Sequence, residues 1–218
     1  MKRITAVLWH SHVTTMRRAR ELVKGALEVT VYSARFLDEG KEDLARALED
    51  MARADLVFLY RSAAETVWDE LEKNLKDPGK PVVCVAHDPS LWTLSTVGPD
   101  VISQCYAYIV QGGPENFAHM LRYLAAEVLG EDIAYREPVI FPWEGIYHPD
   151  APRCFAGVEE YLSWYRAHRA GFNVAAPTVG LLFGRSYWVN GNQAVEDLLI
   201  RLLEEKGLNV IPAFCYSL

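Results

Sequence analysis

The chain has 218 residues, half of them hydrophobic, enough to bury a core in one or two domains at a rough prior of ~100–200 residues each. Its 22 Lys and Arg against 29 Asp and Glu give a net charge of -7, which repels nucleic-acid phosphates and anionic lipid and argues against either as a partner. No run approaches the ~18 uninterrupted apolar residues of a membrane helix, and the first apolar run is too short for a signal-peptide core. The four cysteines, Cys84, Cys105, Cys154 and Cys215, are widely spaced with no Cys-x-x-Cys pair. A soluble cytoplasmic protein with reduced, packing cysteines is therefore expected.

Along the first part, short β-branched runs alternate with longer stretches of helical periodicity, the pattern of a parallel sheet with crossover helices. Strands are predicted at 4–9, 29–34, 56–60, 82–86 and 106–111, with helical segments at 17–25, 41–54, 64–75, around 91–103, and at 114–129, where Pro114 opens the helix and Gly130 ends it. Five strands with these connections predict an α/β flavodoxin-like doubly wound head domain over 1–130. Pro138, Pro142, Pro149 and Pro152 make 131–157 a proline-rich linker without long regular elements. The remainder, 158–218, reads as the first βαβ of a second α/β domain: helical spacing of Tyr161, Leu162 and Tyr165, a strand at 178–183, an amphipathic helix at 194–206 stopped by Gly207, and a strand at 209–214. Two parallel strands leave much apolar surface uncovered, so the expectation is a piece of a larger protein.

The stretches VGLLFGRSYWVNGN at 179–192 and GLNVIPAFCYSL at 207–218, separated by that amphipathic helix, resemble the CobN/magnesium chelatase H family. GGPEN at 112–116 and YHPDAP at 147–152 resemble its cobalt branch. The resemblance is strong from about Gly112 onward and rests on order of elements before that. One departure is Gly184, where members usually carry a larger side chain; it opens space or relaxes a turn. The resemblance implies the amino-terminal part of a very large tetrapyrrole-binding subunit that inserts Co2+ into a corrin precursor in cobalamin biosynthesis. AAA+ type partner subunits would hydrolyse ATP with Mg2+, and this chain would hold no cofactor tightly. Its catalytic residues are expected beyond Leu218. The alternatives are Mg2+ insertion into protoporphyrin and, from another class, a non-catalytic docking module.

Metal insertion needs the ion stripped of water and two pyrrole protons removed, so neutral histidines or carboxylates are wanted. His10 and His12, at the carboxyl end of the first strand where open α/β sheets bind ligands, are the candidate metal residues, against the reading of a hydrogen-bonded loop. The loop 11–15 lacks glycine, so Thr14 or Thr15 is expected to cap a helix rather than to bind phosphate. A phosphorylated receiver domain would need acidic residues where His10, Tyr60 and Arg61 stand, and that reading falls. Arg185 and Ser186, after the strand at 178–183, form the main substrate-binding candidate: an arginine there can pair bidentately with a macrocycle carboxylate, with a domain-interface salt bridge as the alternative. Asn190 and Asn192 join them as substrate-binding candidates and are expected to cap the following helix at its anion-attracting end. His148, with Asp150 among prolines, completes the substrate-binding set, against linker packing. Trp143, Tyr147, Trp164, Tyr165, Tyr187 and Trp188 could stack on a flat macrocycle or simply pack.

Overall fold

The computed structural model describes residues 1–62, 64–75, 79–169 and 171–216, and these form two compact units, Met1–Val139 and Ile140–Leu218. Ser217 and Leu218, which close the last family-like stretch, lie outside the described residues. In the first unit β1 (Lys2–Leu8), β2 (Leu27–Ser33), β3 (Leu56–Arg61) and β4 (Val82–Ala86) make a parallel sheet in the order β2-β1-β3-β4. Alternate residues feed two cores. Ile4, Ala6, Leu8, Leu56, Phe58 and Tyr60 pack against α1 (Val13–Leu22), α5 (Pro99–Gln111) and α6 (Pro114–Glu127). Val7, Val57 and Leu59 pack against α2 (Ala34–Asp38), α3 (Leu44–Arg53) and α4 (Val67–Asn74), where Trp68 and Leu71 are fully buried. Burial on both faces is why these strands read as continuous apolar runs. The α/β, doubly wound expectation holds, with the order reversing between β1 and β3.

The fifth strand does not form: 106–111 is the second half of α5. Pro99 at the helix start and Asp100 in its first turn favour a helix, and Ile102, Cys105 and Ile109 bury one helical face. The free edge of β4 is instead satisfied by side chains of the next loop. Ser95 Oγ accepts from the Cys84 amide at 2.8 Å and donates to its carbonyl at 3.1 Å, while Thr96 Oγ1 accepts from the Val82 amide at 2.8 Å. An edge so filled offers no pairing template. The helix expected at 17–25 runs from Val13 to Leu22, and neither threonine caps it: the cap position is His12, with no side-chain bond, and Thr15 is buried.

Between α5 and α6, Gly112 and Gly113 take φ of 75° and 86°, a reversal that side chains resist. The GGPEN stretch thus makes a turn, and its fully buried Asn116 fastens the chain beyond α6 back onto that turn. Asn116 Nδ2 donates to the Gly112 and Val139 carbonyls, each at 2.9 Å, and its Oδ1 accepts from the Val139 amide at 2.8 Å. Asn116→Ala should therefore lower the stability of this unit by about 2 kcal/mol, since buried partners lose their bonds. A lower urea midpoint at unchanged m value would show it.

In the second unit β5 (Glu144–Ile146) pairs antiparallel with β7 (Asn209–Cys215), and β6 (Thr178–Gly184) pairs parallel with β7 on the other side. β5 lies inside the stretch expected to lack long regular elements, and at three residues it is not one. The βαβ expected at the end is present as β6, α8 (Arg185–Val189), α9 (Ala194–Glu205) and β7. α7 (Val158–His168) buries Tyr161 and Tyr165, and Tyr161 donates to the Val210 carbonyl at 2.7 Å. Gly184 has φ of -71°, and a Cβ there would make only ordinary contacts, the nearest 3.5 Å from Tyr187, so neither the backbone nor the space at that atom demands glycine. No described helix is long and apolar enough to cross a membrane. None of Cys84, Cys105, Cys154 and Cys215 is in a disulfide, and burial pushes Cys84 up to about 12, an inert packing group.

Candidate functional site

At the carboxyl edge of the first sheet, His10 and His12 separate. His10 Nδ1 meets Ser33 Oγ at 2.8 Å and its ring lies 4.5 Å from Phe36, toward β2 and α2. His12 stacks on Tyr60 at 4.7 Å between centroids, with Trp9 and Phe117 around it. The two are not brought together as a ligand pair, and among the described residues no group of three or more His, Cys, Asp or Glu is placed to hold a metal ion. His12 instead shares the Trp9 and Tyr60 rings with His87, which follows β4 and carries no motif in the sequence. His87 Nε2 meets Tyr60 Oη at 3.1 Å. Burial, then the charge of His87, lowers the His12 pKa to about 4, which leaves a neutral imidazole at neutral pH.

Arg185 stands, as expected, where β6 ends, but its guanidinium is committed. It is 3% exposed, Nε donates to the Pro142 carbonyl at 2.7 Å and Nη2 to that of Phe141 at 3.3 Å, and its Cζ sits 4.7 Å from the Trp143 ring centroid. Burial lowers its pKa. Bidentate pairing with a carboxylate would first require these bonds to break. Neither asparagine caps α9, whose cap position is Gln193 without a side-chain bond; Asn190 is buried and ends α8. Ser186 and Asn192 are exposed.

The YHPDAP stretch is tied to one face of α9. Tyr147 donates to Asp197 at 2.9 Å, His148 meets Glu204 at 3.2 Å, and Arg201 grips Asp150 with bonds of 2.8 and 2.7 Å. The helical partners fall at i, i+4 and i+7, one side of the helix. His148 is 4% exposed; its Nδ1 accepts from the Asp150 amide at 3.2 Å, which places its proton on Nε2, toward Glu204. Glu204 Oε1 also accepts from Tyr165 at 2.7 Å and lies 3.6 Å from Arg169 Nε. Arg169 in turn donates to Asn209 and to the Glu204 carbonyl, both at 2.9 Å. Of these groups His148, Asp150, Tyr165, Arg169, Arg201 and Glu204 line a cleft of about 360 Å3, together with Trp164, His168 and Glu205. His148 is thus both packed within this cluster and part of the cleft lining. Glu204, Arg169 and Arg201 were missed in sequence, although the spacing of Arg201 and Glu204 on one helix was visible.

A model of the family described as CobN/Magnesium Chelatase matches residues 106–218, just over half of the chain. The chain belongs to the CobN/magnesium chelatase family. It is 33% identical over 99% of its length to the uncharacterised protein MJ1441 of Methanocaldococcus jannaschii, of which it spans 15%. It is 37% identical over 49% of its length to the chloroplastic magnesium-chelatase subunit ChlH of Oryza sativa subsp. indica, of which it spans 8%. Among solved structures, the catalytic subunit of cobaltochelatase from Mycobacterium tuberculosis matches 99% of this chain with a TM-score of 0.62 at 22% identity, the chain covering 16% of it. That likeness is one of fold. The family match covers α6 and the whole second unit, including the tied YHPDAP stretch and Arg185.

Proposed function

We propose that this chain is the amino-terminal part of the tetrapyrrole-binding large subunit of a cytoplasmic, ATP-dependent cobaltochelatase that inserts Co2+ into a corrin precursor. The observation that carries the reading is the family match over 106–218 together with relatives many times longer than the chain. The GGPEN and YHPDAP stretches support the cobalt branch; 37% identity to a magnesium-chelatase subunit supports the alternative, Mg2+ insertion into protoporphyrin. In either case AAA+ type partner subunits would hydrolyse ATP with Mg2+.

The chain's own part would be to form a rigid wall beside the macrocycle. Buried Arg185, Asn190 and His148 would hold that wall in shape, and the exposed Ser186 and Asn192 would supply polar contacts at the carboxyl end of β6. With a net charge of -7 the chain has no long-range attraction for a polycarboxylate, so recognition would depend on such local donors. The test is an absorbance titration of the chain with a metal-free hydrogenobyrinate-type corrin and, separately, with protoporphyrin. Tighter binding of the corrin, weakened at least roughly ten-fold by Ser186→Ala with Asn192→Ala, is the expected result. Preference for protoporphyrin overturns the cobalt assignment. Binding of neither makes the chain a docking module.

A further inference from the structure

We propose that the outer edge of β6 and the exposed apolar stripe of α9 form one docking surface, whose occupant is a parallel β-strand with its helix from the remainder of the chelatase large subunit. Among the described residues β6 pairs on one side only, with β7, leaving the other edge of Thr178–Gly184 open. Exposed edges are normally blunted by lysine, proline or other charge. This one has none: its seven residues are TVGLLFG, and Leu182 is 60% exposed.

α9 carries the second half of the surface. Ile200 is fully buried, while Val195, Leu198, Leu199 and Leu202 are 66, 59, 41 and 44% exposed. Positions i, i+3, i+4 and i+7 make one continuous stripe, so α9 is apolar on more than one side, as helices buried in larger layers are. The parallel β6–β7 pair belongs to a class of sheet that is covered on both faces, and extension by another parallel strand brings a crossover helix that would lie against α9. The occupant is assigned to the large subunit because the chain spans only 15% of one relative and 8% of another, which leaves most of such a subunit to provide it. The proposal rests on the large-subunit reading, and not on which metal or macrocycle that subunit takes.

Hydrogen exchange tests it without any macrocycle. Amides of 178–184 should exchange at least roughly ten-fold more slowly in the full-length large subunit than in the 218-residue chain. The pair Leu198→Glu and Leu202→Glu should leave the melting temperature of the 218-residue chain unchanged, since both positions are exposed, yet remove that protection in the full subunit. Equal exchange in the two proteins overturns the proposal. So does a 218-residue chain that sediments as a dimer and is returned to monomer by the same pair, which assigns the surface to a second copy. A failed corrin titration leaves this interface untouched, and a failed exchange result leaves the chelatase reading standing.

Discussion

Glu204→Ala is expected to destabilise the second unit by about 2–3 kcal/mol, the cost of depriving buried donors of their acceptor. A single oxygen, Glu204 Oε1, receives the His148 imidazole and the Tyr165 hydroxyl and faces the Arg169 guanidinium, and the side chains of His148 and Arg169 are only 4% and 10% exposed. Truncation takes the acceptor from two buried donors, the His148 imidazole and the Tyr165 hydroxyl, and the nearest carboxylate from Arg169, which keeps its bonds to Asn209 and to the backbone carbonyl of residue 204. The loss should appear in urea unfolding followed by tryptophan fluorescence, with Trp164 beside His148 at 5.1 Å between ring centroids as a local reporter. Glu204→Gln keeps an oxygen acceptor but not the charge, so its loss should be smaller. A cost below about 1 kcal/mol for the alanine variant would mean that the cluster does not hold α7, α9 and the YHPDAP stretch together.

The second large effect concerns acid. An unfolded His12 takes a proton near the ordinary value of 6.5, whereas the folded imidazole, kept neutral by burial and then by His87, resists protonation down to about 4. The unfolded state therefore binds more protons between those values. The stability this neutral imidazole contributes is complete above pH 6.5 and is lost as the pH falls toward 4. At roughly 1.4 kcal/mol per unit, the loss is about 3 kcal/mol. His12→Phe retains a ring to stack on Tyr60 and removes the titration. Its urea midpoint should fall less between pH 7 and 4.5 than that of the parent. Equal slopes in the two proteins would refute the assignment, since carboxylate protonation is common to both.

The parts of the fold legible in the sequence were those fixed by local pattern. β1 to β4 are buried on both faces and read as apolar runs, and α9 and β7 follow from spacing and Gly207. The error at 106–111 has a clear source. Tyr106, Tyr108 and Val110 alternate like a strand, while the face that decides the matter, Ile102 with Cys105 and Ile109, begins before that window. The sites were less legible because each depends on groups distant in sequence. Arg185 is turned inward by the Pro142 carbonyl 43 residues earlier, and His148 by Glu204 56 residues later. Residue type at the end of a strand indicates what chemistry is available. It does not indicate whether the fold has already consumed it.

The side-chain seal on β4 bears on the order in which the chain is made. Thr96 lies 14 residues beyond Val82, and Ser95 11 beyond Cys84, so the polar groups that finish the sheet leave the ribosome directly behind its last strand. Synthesis runs from β1 toward β7, and all four strands of the first sheet have then been made well before β6 exists. A nascent domain of this kind does not wait for a distant strand to cover its flank, and it presents no sticky β4 edge to neighbouring nascent chains while the rest of the chain is being made.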